Sequence, residues 1–193
     1  MKHIVFLLPV GITLLNSFTA PGKLPGTLSG RSNVNYVKDS VRIELQKTSF
    51  KDITVLFIND TASSTEKISE ILGKDYGELM QCLRNSKLQP LKFMAWYYST
   101  QPPWPLDVAV QTISIPEQLS GRIQSRIQKG GEVLIAHMWG PYNEVSQAYL
   151  KIESWLKENN RRAKGHPFEV YINDPASVNS ESEIQTDIYQ PIE

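Results

Sequence analysis

The sequence predicts an α+β fold: a duplicated strand-helix-strand-strand unit forming a mostly antiparallel sheet, with helices on one face and a ligand groove between the halves. Three observations predict it. Stretches with apolar residues at every second position alternate with two stretches of helical period, and the order repeats. The copies also superpose by residue: setting Tyr76 on Tyr149 brings Leu79 onto Ile152, Cys82 onto Trp155 and Leu83 onto Leu156, and a small shift sets Phe93 on Phe168 and Trp96 on Tyr171. Finally, a hairpin plus one helix buries its apolar face poorly alone, so the two units must share a core.

The elements follow in order. Val41, Ile43 and Leu45, then Ile53, Val55 and Phe57, read as two short strands joined by a turn around Thr48 to Phe50. Ile68, Ile71, Leu72, Leu79, Met80 and Leu83 keep the spacing of an amphipathic helix that Ser63, Ser64 or Thr65 can cap and Glu66 suits, with Gly73 and Gly77 marking a kink or break. "LKFMAWYY" is a strand by its aromatic content, "QPPWP" is a loop because proline cannot donate to a ladder, and "LDVAVQTISI" is a strand ended by Pro116. The second copy reads "GEVLIAHMW" as strand, "YNEVSQAYLKIESWLKENN" as helix, then "HPFEVYIN" and "SEIQTDIYQPI" as strands.

Residues 1–20 stand apart, with Lys2 and His3 before the apolar run Ile4 to Leu15, which suits a secretory signal and is too short to span a bilayer. The small-x-small cleavage pattern is interrupted by Phe18, which leaves cleavage and a membrane tether as alternatives. The expected location is therefore the envelope, exported or anchored, with a cytoplasmic protein as the alternative. Residues 21–36 read as a flexible linker and 37–193 as the folded domain, with halves at about 37–116 and 129–193.

Twenty basic and twenty acidic residues cancel, which removes the positive field of a nucleic-acid binder; no direct nucleic-acid partner is expected. Cys82 is the only cysteine, so internal disulfides and cysteine-based zinc sites are excluded, and its apolar neighbours suggest a core thiol. No metal or cofactor is implied. His137 alternates with apolar residues and reads as structural, whereas Arg161, Arg162 and Lys164 suit a helix C-terminus.

Strand parity locates the chemistry. If Val170, Ile172, Ile184 and Ile188 mark the side packed on helices, then Glu169, Tyr171, Asp187 and Tyr189 project together from the other side, joined by Trp96 of the first copy. Trp139 ends a strand at the joint "WGPY", where Gly140 permits a sharp turn, Pro141 fixes a torsion, and Tyr142 is left at the mouth between the halves. Rings around a carboxylate suit a hydrophobic or cationic small molecule.

These residues carry a family resemblance. "HMWGPYNEVSQAYLKIESWLKENN", "HPFEVYINDP" and "TDIYQPI" resemble the second half of the GyrI-like domain, the effector-binding module related to the C-terminal parts of the Rob and BmrR transcription regulators. The resemblance covers about residues 40 to 192, with "LGKDYGELMQCL" its best match in the first half. It implies a duplicated unit binding hydrophobic or cationic compounds between its halves, with a pocket acid before the "IY" pair, where Asp187 replaces the usual Glu. No helix-turn-helix pattern precedes the domain in this sequence, so a stand-alone binding module is the first expectation. The alternatives are a hydrolase of reactive electrophiles with Glu169 or Asp187 as general base, and a gyrase-inhibitor-like module with a protein partner.

Overall fold

The computed structural model describes residues 41–193. The signal-like segment, the linker and the first residues of the expected domain lie outside the described residues. Among the latter, no helix is long and apolar enough to cross a membrane.

Eight strands and two helices follow in the order β1 (Arg42–Phe50), β2 (Ile53–Ala62), α1 (Thr65–Asn85), β3 (Lys92–Tyr97), β4 (Trp104–Thr112), β5 (Gln124–Gln128), β6 (Gly131–Trp139), α2 (Val145–Glu158), β7 (Phe168–Tyr171) and β8 (Gln185–Pro191). They form one antiparallel sheet in the order β1-β6-β8-β7-β3-β4-β2-β5. The expected α+β fold is present, and the element order β2-α1-β3-β4 recurs as β6-α2-β7-β8, the two units meeting along β3 and β7. Each helix lies on its own half, α1 on β2 and β4 and α2 on β6 and β8.

The leading strands differ from expectation. β1 and β2 do not pair with each other: β1 pairs with β6 of the other half, and β5, which sequence reading missed, pairs with β2. Only Lys51 and Asp52 join β1 to β2, and only Lys129 and Gly130 join β5 to β6. The two long segments therefore run as one antiparallel ribbon whose register crosses the joints without slipping, Phe50 facing Gly131 and Ile53 facing Gln128. Where they cross, Gly130 lies so close to the other segment that a Cβ on it would stand 2.2 Å from the Phe50 carbonyl oxygen. Asp52 ties the crossing by accepting from the Gly130 N–H at 2.9 Å and pairing with Lys129 Nζ at 2.8 Å.

This ribbon gives the sheet two apolar faces. Leu56, Val108 and Ala95 pack under α1, and Leu134, Ala136 and Ile188 under α2. On the opposite face Val55, Phe57, Met94, Trp96, Phe168 and Val170 form a third core, closed by Phe50, Ile53 and Tyr189.

Smaller expectations were also corrected. α1 is continuous, because Gly73 and Gly77 face open space and the apolar stripe on the other side holds both ends. Ser64 is its N-cap residue without a capping side-chain bond. "QPPWP" is not all loop: Trp104 and Pro105 begin β4, where the Pro105 carbonyl accepts from the Tyr98 N–H at 3.0 Å, so the proline needs no donor. Cys82 is buried, as its neighbours suggested.

Candidate functional site

β3 and β7 lie between the two helices, and their helix-side residues include a buried acid, Glu169. Its strand partners are Ala95 and Ile188, both on the helix-packed face, so Glu169 points between α1 and α2. Each surrounding element contributes one tyrosine: Tyr76 from α1, Tyr97 from β3, Tyr149 from α2, Tyr171 from β7, and Tyr142 from the short turn before α2.

Two phenols hold the carboxylate. Tyr149 donates to Oε1 and Tyr171 to Oε2, each at 2.9 Å, and the Tyr171 and Tyr97 hydroxyls lie 3.3 Å apart. Tyr76 donates instead to the Met94 carbonyl at 2.9 Å, and Tyr142 meets Tyr171 edge to face at 5.8 Å between centroids. Glu169 is only 3% exposed and forms no salt bridge among the described residues. Burial pushes its carboxyl up to about 7, against the opposing pull of the Tyr171 and Tyr149 hydroxyls. Tyr142 is pushed up to about 12 by burial and then by the Glu169 charge, while burial and the same charge raise Tyr149 and Tyr171 well above the ordinary phenol value.

The joint before Tyr142 behaves as the sequence suggested. Gly140 has φ of 147°, which side chains disfavour, and a Cβ there would stand 3.1 Å from Val41 Cγ2. Pro141 then precedes the single turn Tyr142–Glu144 that leads into α2.

The expected site residues do not all converge. Tyr142, Glu169 and Tyr171 lie together on the helix side of the sheet, whereas Trp96, Trp139, Asp187 and Tyr189 belong to the other face. Asp187 faces Val170 across the ladder and Tyr189 faces Phe168, both members of the third core. Trp96 stacks on Phe168 at 4.7 Å, and Tyr189 stacks on the same ring at 5.0 Å. Trp139 carries the Arg42 guanidinium at 3.7 Å and neighbours His137. Asp187 meets His137 Nδ1 at 2.9 Å and accepts from Gln185 Nε2 at 3.1 Å, while His137 Nε2 meets Gln46 Oε1 at 3.0 Å. His137 thus has a partner at each ring nitrogen, and Asp187, one of the two, lies on the face of the sheet opposite Glu169.

The physical reason is that apolar residues do not mark the helix side of this sheet, because the ribbon buries the other face as well. The same error displaced the strand alignment by one residue. Tyr97, opposite Leu106, matches Tyr171, opposite Thr186, whereas Trp96 and Tyr171 point to opposite faces. Tyr76 and Tyr149, aligned in the sequence as repeat equivalents, were the available signal for the missed phenols. Among the described residues no group of His, Cys, Asp and Glu is arranged to hold a metal. The basic cluster after α2 secures the chain end instead of the helix terminus: Arg161 bonds the Glu193 carbonyl at 3.0 Å and pairs with Glu132, and Arg162 pairs with the Glu193 side chain.

Two β-α-β-β halves around a phenol-lined acid make up one α+β domain. Residues 45–193 match the family described as the GyrI-like small molecule binding domain, and the chain belongs to that family. A comparison with curated proteins finds no match. The fold is similar to the EcmrR C-terminal domain (TM-score 0.67, 17% identity, covering 78% of this chain and 98% of that one). It is also similar to EcmrR in a complex with DNA (TM-score 0.70, 15% identity, 78% of this chain), of which it spans only 57%. A protein from Listeria innocua described as a hydrolase shares the fold (TM-score 0.58, 11% identity, covering 78% and 92%).

Proposed function

We propose that this GyrI-like domain senses or sequesters lipophilic organic cations between α1 and α2, over β3 and β7, with Glu169 as their counter-charge. One observation carries the reading: a buried carboxylate is held by two phenols and has no basic partner among the described residues. A buried anion without a cation is costly, and a cationic guest recovers part of that cost while ring faces of the surrounding tyrosines contact its apolar body. Tyr142, on the turn fixed by Gly140 and Pro141, lies against Tyr171 at the side of Glu169 and must swing aside to admit a large guest. Calorimetric titration with tetraphenylphosphonium and with neutral triphenylphosphine oxide tests this. The cation should bind at least about tenfold more tightly, and Glu169→Gln should remove the difference. Equal affinities in the unaltered protein would refute the reading.

A hydrolase remains a second reading, favoured by the Glu169 carboxyl lying at about 7, where a general base works best. In that case Glu169 takes a proton from the attacking water. Turnover of an activated aryl ester that disappears in Glu169→Gln supports it; turnover unchanged in that variant excludes it.

A further inference from the structure

The face of the sheet opposite Glu169 carries a cavity of about 310 Å³, where the end of β1, the β5–β6 joint, the loop before β7 and the end of β8 meet. That volume is at the lower bound of small-molecule sites. Phe50, Trp96 and Tyr98 supply its rings, and Arg126, Lys129 and Lys164 its positive charge. Glu132 is the acid in its lining, and it is already engaged by Lys47 at 2.9 Å and by Arg161.

The cations of this cavity are not equivalent. Lys129 is paired with Asp52. Arg126 is held flat between Phe57 and Trp96, 4.5 and 4.4 Å from their centroids, and pairs with the buried Asp107. Its Nε is buried and has no acceptor among the described residues. Lys164 sits on an exposed loop and forms no salt bridge among the described residues. The wall therefore offers an ammonium without an ion-pair partner among the described residues, a guanidinium already paired with Asp107, and aromatic surface.

We propose that this cavity is a second binding site, for organic anions: a carboxylate on a planar apolar body, the ring lying against Phe50 and the edge of Trp96 and the anion meeting Lys164 and Arg126. The sheet then separates two sites of opposite charge preference, and the anion site stands independently of what the Glu169 site takes.

The test compares three probes of one shape, 1-naphthoate, neutral 1-naphthamide and cationic 1-naphthylmethylamine, by calorimetry and by amide chemical shifts of the full chain. Naphthoate should bind at least about tenfold more tightly than the amide, shift the amides of Gly130 and Gly165, and weaken with added salt. Lys164→Glu, an exposed change that leaves the fold intact, should cost about tenfold or more in naphthoate affinity, whereas Glu169→Gln should leave it unchanged. Absence of naphthoate binding, equal binding of the three probes, or loss in Glu169→Gln but not in Lys164→Glu would overturn the proposal.

Discussion

Glu169 sets the properties of this protein at the scale of single residues. Its folded-state carboxyl titrates at about 7, above the ordinary 4.5 of the unfolded chain, so the folded protein holds a proton that the unfolded chain has lost between those values. Folding stability therefore falls as pH rises from about 4.5 to 7, by about 3 kcal/mol in total, and stays low above it. Glu169→Gln keeps the shape and removes the charge, and its stability should be flat across that window and exceed the unaltered protein's by about 1–3 kcal/mol at pH 8. Urea unfolding at pH 5 and pH 8 measures both; a variant less stable than the original at pH 8 would contradict the assignment. From sequence, Glu169, Tyr171 and Tyr142 were legible as neighbours, since composition and parity put them near each other. Asp187 and Tyr189 were not separable from them, because one strand period looks alike on both sides when both sides are apolar.

Among elements, the ribbon formed by β1–β2 and β5–β6 is the least legible and the most consequential. Each helix and the strands beside it announced themselves by local periodicity. β5 did not: "QSRIQ" has one apolar residue among its five, and its pairing partner β2 lies far away in sequence. β1 and β2 read as two strands joined by a turn around Thr48 to Phe50, yet those three residues belong to β1 and the two strands pair with different halves. The crossing depends on Gly130, whose hypothetical Cβ meets three backbone atoms of Phe50 to Asp52 within 3 Å. Backbone cannot retreat as a side chain can, so Gly130→Ala should destabilise by about 3 kcal/mol or more. Gly73→Ala, at an open helical position, should stabilise slightly, by about 0.5–1 kcal/mol. Comparing the two by denaturant midpoints checks the distinction, and a neutral Gly130→Ala would show that the segments do not cross so tightly.

At the scale of the whole molecule, the exchange of leading strands makes the two halves one folding unit. The first half completes its sheet with β5 and the second with β1, so neither has its full complement of strands alone. Far-UV circular dichroism and tryptophan fluorescence should report one coincident transition, and a fragment of residues 41–120, which lacks β5, should remain unfolded. Two separate transitions would mean independent halves. Net charge, also a whole-molecule quantity, carried no positive field from which to expect a nucleic-acid partner and was silent on the sites, because zero overall is compatible with a buried acid on one face and ammonium groups around a cavity on the other.

The most direct test of the central claim, that Glu169 is the counter-charge of a cation site, is the pH dependence of tetraphenylphosphonium affinity, since this cation keeps its charge throughout. A carboxyl titrating at about 7 predicts that affinity rises about tenfold between roughly pH 6 and 8, and that Glu169→Gln abolishes the rise. An affinity independent of pH, or a rise that persists in Glu169→Gln, would contradict it.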